Sequence, residues 1–241
     1  MTNAFKPLER EPAYLKVFKA IEARITDGSL KDGAFLPTEG ELCDQFGVTR
    51  STVREGLRLL EQTGLIVRGP AKKFYIRRPD SADIAAAASK SFALGGVTFR
   101  EVWDTLASFY PAAAKLAATR LSDDDIAQLK AVRAALEAAG AKDHEATVAG
   151  AVEFFQHIAR GLDNRVMLAL LQSLNLMIGE SLRHVIAGAP QAKDRISSAQ
   201  EKLIEAFEAG DEVRAGEWMA KHIDDLKRGY DVAGVDLNEK I

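Results

Sequence analysis

Residues 36–66 read LPTEGELCDQFGVTRSTVREGLRLLEQTGLI, and the fold of the first eighty residues turns on this stretch. Thr38 followed three residues later by Glu41 is a capping-box pattern, with Pro37 just ahead of it. The spacing predicts a short helix with Leu42 and Phe46 facing inward. Gly47 and Val48 then leave room only for a tight turn before Thr49, a second N-cap. The helix opened by Thr49 turns Val53, Leu57 and Leu60 inward, and Gly64 ends it. Along this second helix Arg50, Arg54 and Arg58 recur at four-residue steps.

The flanks complete the pattern. Upstream, Pro12 suits a first helical position, and Tyr14, Phe18, Ile21 and Ile25 fall on one helical face. The run DGSLKDG stops that helix. Downstream, LIV and FYI are short β-rich runs separated by RGPAKK, which reads as a hairpin with a basic tip. Three helices followed by a two-stranded ribbon describe a winged helix-turn-helix. In that geometry the N-terminal end of the third helix, TRSTVRE, enters a DNA major groove. Arg50 and Arg54 suit guanine edges or phosphates, and Thr49, Ser51 and Thr52 are short hydroxyl donors beside a helix N-terminus. Lys72 and Lys73 at the tip of the wing, and Thr38 at the start of the preceding helix, complete the expected contact set. The reading requires the third helix to project outward, with its arginines available rather than consumed in internal salt bridges.

Composition allows this and excludes other classes. The chain has 241 residues, 47% of them hydrophobic, with 32 Lys and Arg against 35 Asp and Glu, a formal net charge of −3. That total argues weakly against a nucleic-acid partner, but the distribution does not. Between Phe46 and Arg78 the basic residues are Arg50, Arg54, Arg58, Arg68, Lys72, Lys73, Arg77 and Arg78, opposed only by Glu55 and Glu61. Phosphate contact depends on nearby cations, not on the overall sum. The single cysteine, Cys43, rules out an intramolecular disulfide framework. The N-terminus does not read as a secretory signal, and no apolar run approaches the roughly 20 residues of a membrane span. A soluble cytoplasmic protein without a membrane partner is expected.

Beyond the ribbon the character changes. Residues 79–97, rich in Ala and Ser, read as a partly helical connector between a DNA-binding domain at 1–78 and a second domain at 98–241. From Thr98 onward no strand is convincing. Thr98 with Glu101 opens a helix to about Arg120, and Ser122 opens another with Ile126, Leu129, Val132 and Leu136 inside. Helical stretches over 144–160, 164–187, 190–209 and 211–230 follow. The expected fold class is therefore mainly α: a winged helix-turn-helix followed by an all-α bundle of six or seven helices.

The stretch 36–66 resembles, nearly throughout, the DNA-binding signature of the GntR family of bacterial transcription regulators. The resemblance implies dimeric operator binding under the control of a small-molecule metabolite. Arg50 and Arg54 match the family's operator-reading arginines, whereas a third arginine common in the family is replaced here by Gly40. The bundle resembles the FCD effector domain of the FadR subfamily, most clearly in YPAAAKLAATRLSDDDIAQL and in FEAGD and WMAKHI.

For the pocket, the FCD resemblance implies a divalent metal site at Glu153, His157, Gln200 and His222. Glu153, His157 and His222 are a two-histidine, one-carboxylate set suited to Zn²⁺, Ni²⁺ or Mn²⁺, but Gln200 is a poor ligand where the family has a histidine. A hydrogen-bonded polar pocket without metal is the competing reading. An arginine that the family uses to clamp carboxylates is Leu106 here, and Tyr110 stands where a glutamate is common. Arg100 or Arg183 would have to substitute for it. The candidate effector residues are thus Glu153, His157, Gln200, His222, Tyr110 and Arg183. The functional alternative is a metal-dependent enzyme built on Glu153, His157 and His222, although no separate nucleophile or acid–base group accompanies them.

Overall fold

The first helix, α1 (Ala13–Thr26), buries Val17, Ile21 and Ile25, while Tyr14 and Phe18 are only half-buried. The computed structural model describes residues 11–69, 73–140, 143–189 and 191–241. Val17 takes the place expected for Tyr14 because of the third helix, α3 (Arg50–Gln62). There, a Cβ at Gly56 would stand 2.9 Å from Val17 Cγ1 and 3.0 Å from the Tyr14 carbonyl oxygen. The two helices cross at a distance that only glycine allows, and the small Val17 side chain is what fits.

Between them lies α2 (Glu39–Phe46), opened by the expected capping box. The Thr38 N–H donates to Glu41 Oε2 at 2.7 Å, and the Glu41 N–H donates to Thr38 Oγ1 at 3.3 Å. The helix ends at Gly47 with φ +62°, a left-handed conformation costly for residues with a Cβ. Val48 N–H then donates to the Cys43 carbonyl at 3.3 Å, and Thr49 caps α3 through the Thr52 N–H. Leu42, Val53, Leu57 and Leu60 fill the space between α1, α2 and α3. Phe46 is half-buried at the edge of that core.

Strands β1 (Ile66–Arg68) and β2 (Phe74–Ile76) pair antiparallel with Ile66 opposite Ile76. Ile66, Phe74 and Ile76 close the same core. Residues 34–36 add an edge that the sequence did not suggest: Ile76 N–H donates to the Ala34 carbonyl and Leu36 N–H to the Phe74 carbonyl, each at 2.8 Å. Lys72, assigned to the tip of the wing, lies outside the described residues. Lys73 is exposed and leads into β2, its carbonyl accepting from the Gly69 N–H at 2.8 Å.

The chain divides into two units, the first ending at Asp80 and the second beginning at Ser81. Among the described residues the second unit is entirely helical apart from one isolated bridge: α4 (Ser81–Leu94), α5 (Phe99–Arg120), α6 (Asp123–Ala138), α7 (His144–Gly161), α8 (Arg165–Gly188), α9 (Ala192–Glu208) and α10 (Glu212–Ala233). This is the expected winged helix-turn-helix and helical bundle. Residues 79–97, expected as a partly helical connector, contain α4, which packs along α8 and buries Ala85. Small side chains that suggested a linker are what allow this close packing.

Side-chain caps at Thr98, Ser122, Asp143, Asn164 and Asp211 set five of the helix starts. The bundle core runs through Trp103, Leu106, Tyr110, Phe154, Phe155, Leu203, Met219 and Tyr230. No described helix is long and apolar enough to cross a membrane.

The α1–α3 crossing yields a stability test. Gly56→Ala forces Val17 and the α1 backbone outward. It should destabilise the first unit by about 1–3 kcal/mol, as overpacking does, although alanine favours the helix intrinsically. Chemical denaturation of the variant against wild type, following the first unit, measures it.

Candidate nucleic-acid interface and effector pocket

The outer face of α3 carries the residues singled out by sequence. Arg50 and Arg54 project one turn apart, with side chains 67% and 64% exposed. Thr49 Oγ1 lies 3.0 Å from Ser51 Oγ and 2.9 Å from Thr52 Oγ1, so three hydroxyls cluster at the helix N-terminus. Unpaired backbone N–H groups and the helix dipole favour an anion at such an end. Thr38 is exposed, but Glu41 engages both its N–H and its hydroxyl. Those bonds hold the Glu41 carboxyl below the usual carboxylate range, with Lys73 a minor contributor. Thr38 is thus largely occupied in opening α2.

The arginines are not unpaired, as the sequence reading had asked. Both guanidiniums reach Glu39 Oε2, Arg54 Nε at 2.8 Å and Arg50 Nε at 3.7 Å. Solvent-exposed ion pairs contribute about 0–1 kcal/mol, too little to withhold an arginine from a duplex phosphate or a guanine edge. The pairs leave both arginine side chains mostly exposed. Glu39 was missed because it lies 15 residues from Arg54 in sequence, and no helical spacing connects the two.

In the second unit, the expected pocket residues separate into an interior group and a surface group. Tyr110 is fully buried and its hydroxyl donates to Asn175 Oδ1 at 2.8 Å. Burial pushes the Tyr110 phenol far above its ordinary range, with the Asn175 bond opposing in part, so it stays protonated. Gln200 is buried and donates through Nε2 to the Gly150 carbonyl at 3.1 Å, leaving Oε1 without a protein partner. His222 is buried and stacks on Phe155 at 5.4 Å between ring centroids, and Phe155 in turn lies 4.5 Å from the Tyr110 ring. Nε2 of His222 and Nδ2 of Asn175 also lack protein partners. Burial lowers the His222 pKa to about 4, so the ring is neutral near pH 7. Asn175 was not anticipated, although a polar residue in the apolar row Leu171, Asn175, Ile178, Leu182 was a readable signal.

Arg183, Arg100 and Glu153 belong to the surface. Arg183 pairs with Glu145 at 2.9 Å, and both are exposed. Arg100 donates to Asn238 Oδ1 at 3.0 Å. Neither supplies the guanidinium missing at Leu106, which is itself fully buried. The Glu153 side chain is 56% exposed and its carboxylate lies 3.8 Å from His157 Nε2.

Among the described residues, no three His, Cys, Asp or Glu side chains are placed to hold a metal ion. Glu153 and His157 meet each other, but His222 does not join them as the expected ligand set required. The physical reason is that Phe154 and Ile158 take the inward side of α7, turning Glu153 toward solvent. Gln200 could offer only its neutral amide oxygen, a weak ligand where a histidine is needed. These residues do not fit the three-ligand site.

A helix-turn-helix carrying outward arginines, with a ribbon beside it and a helical domain behind in sequence, defines a class of bacterial regulators. Residues 13–76 match the family described as bacterial regulatory proteins, gntR family, and residues 101–225 match the FCD domain. The chain belongs to the GntR family and carries an FCD domain; it is a transcription regulator of that type. It is 28% identical over 205 residues to the Glc operon transcriptional activator of Escherichia coli K12, covering 82% of this chain and 81% of that one. It is 27% identical over 216 residues to the HTH-type transcriptional regulator Rv0494 of Mycobacterium tuberculosis, covering 89% and 88%. A solved GntR structure from Streptococcus agalactiae superposes with a TM-score of 0.67 at 23% identity, covering 89% of this chain and 99% of that one, a likeness of fold.

The buried histidine sets a pH dependence. Unfolded His222 titrates near the ordinary imidazole value of 6.5 and folded His222 at about 4. Below the unfolded value only the unfolded state takes up the proton, so stability is full above about pH 6.5 and falls as pH drops toward 4. The slope approaches about 1.4 kcal/mol per pH unit. Thermal denaturation between pH 7 and 5 should show this decline in wild type, and a shallower one in His222→Gln.

Proposed function

We propose that the chain is a ligand-responsive regulator of the FadR subfamily that works in the cytoplasm as a homodimer. It places the N-terminal end of α3 in the major groove of a two-fold-related operator. Paired recognition helices imply half-sites about one helical turn apart, roughly 34 Å. Arg50 and Arg54 read base edges, while Thr49, Ser51, Thr52 and the α3 N-terminus hold phosphates. Lys72 and Lys73 add charge from the wing. The observation that carries this reading is the exposure of both arginines beside three hydroxyls at one capped helix end.

The effector side of the proposal centres on Tyr110, Asn175, Gln200 and His222. Leaving a buried polar group unpaired costs about 1–3 kcal/mol, so three such groups in one interior favour a guest that satisfies them. A metabolite bound there acts on DNA affinity only through its preference for one of two arrangements of the protein. Glu153, His157 and Arg183 contribute at most from the periphery. The metal-dependent enzyme receives no support from the donor geometry.

The operator is found by selecting bound duplexes from a random pool, with affinity then measured by fluorescence anisotropy. Each good arginine–guanine contact is worth about 1–3 kcal/mol, so Arg50→Ala with Arg54→Ala should weaken operator binding by about 10²-fold or more. Unchanged binding in the double variant would refute the reading. Gly40→Arg supplies the cation absent from α2; a Cβ there meets nothing nearer than Thr38 Oγ1 at 4.0 Å. Replacing glycine also favours the helix by about 1 kcal/mol, and operator affinity should rise several-fold with a steeper salt dependence.

A further inference from the structure

We infer that Glu39 is a specificity-determining positioning residue, one carboxylate that orients both recognition arginines and raises the cost of binding the wrong DNA. The inference rests on the DNA-reading role proposed for Arg50 and Arg54. Arg50 is the first residue of α3 and Arg54 stands one turn along, so their side chains leave the same face. Both turn their Nε edges toward a single oxygen of Glu39, at 2.8 Å from Arg54 and 3.7 Å from Arg50. Glu39 opens α2, where the helix dipole favours a carboxylate, and its side chain is only 28% exposed. Leu42 and the left-handed turn at Gly47 fix α2 against α3, so this carboxylate is held on the scaffold.

Two consequences follow. A guanidinium held by its Nε edge keeps its terminal Nη1 and Nη2 groups free. That pair forms a fork able to engage guanine O6 and N7 end-on. Restraining Arg54 by a hydrogen bond and Arg50 by a looser ion pair before binding removes part of the ordering cost of recognition. Glu39 also places a negative charge beside the phosphates of every duplex, operator or not. Phosphate attraction supplies most non-specific affinity, so the carboxylate weakens binding to all DNA, and the oriented arginines recover the loss only where guanines are correctly placed. Glu39 therefore widens the gap between operator and random sequence.

The test uses the full-length chain, its selected operator and a random duplex of equal length, over a salt series. Glu39→Gln removes the charge at nearly constant shape. It should bind random duplex about three- to ten-fold more tightly, with a salt slope steeper by about 0.9, and lose about five- to ten-fold in the operator-to-random ratio. Glu39→Asp keeps the charge but retracts it from both Nε atoms. It should lose the ratio while leaving random-duplex affinity near wild type. Repeating the selection with either variant should return a motif relaxed at the guanine positions. If both variants keep the wild-type ratio, slope and motif within two-fold, the inference is overturned. If wild type itself does not distinguish selected from random duplex, or Arg50→Ala with Arg54→Ala changes nothing, the underlying DNA reading fails instead.

Discussion

The first unit depends on a single backbone constraint, the left-handed turn at Gly47. It ends α2, and within two residues Thr49 has opened α3. No residue with a side chain adopts φ +62° as cheaply, and a longer connection would let the second helix swing. Because the turn is short, the angle between α2 and α3 is fixed by Leu42 and Leu57 in one core rather than by loop chemistry. The close crossing of α1 over Gly56 supports α3 from the other side. The exposed end of α3 is thus held by the turn, by the core that the turn lets form and by the crossing of α1, which is what a rigid reading element requires.

Much of this was legible from residues alone, because caps and periodicities are local. Thr38 with Glu41 and Thr98 with Glu101 each form in space as the spacing promised, and Ser122 caps its helix as expected, with Asp125 returning the bond. The buried stripe of α3 was likewise readable. Less legible was anything set by partners far apart in sequence. Val17 displaced Tyr14 because of a glycine 39 residues later. Residues 34–36 joined the ribbon through backbone groups that carry no sequence signal, and the packing on α8 of the partly helical small-residue stretch was not readable either.

The effector domain shows the same division more sharply. That Gln200 and His222 point inward was visible from their rows of apolar neighbours, and both are buried. That Glu153 points outward was not, because α7 buries two adjacent stripes and the sequence allowed either side to be the wet one. Resemblance named four positions, whereas geometry joins only some of them. Tyr110, placed among the candidates by alignment, gains its meaning from Asn175 on another helix. Electrostatics follows from this arrangement: a phenol, two amides and a neutral imidazole carry no charge of their own, and Arg100 and Arg183, the guanidiniums singled out by sequence, are engaged at the surface, whereas Arg195, Lys221 and Arg228 line the pocket that His222 borders.

The unpartnered polar atoms in that interior also bear on how such a protein changes over generations. Amides and an imidazole sealed in a core add less stability than apolar side chains of the same shape would. Apolar substitutions at Gln200 or His222 offer an easy gain in heat resistance. Lineages kept only for robustness would take that gain and keep a well-folded head that still grips its operator. On the effector reading proposed above, what they would forfeit is responsiveness, leaving a regulator locked in one output.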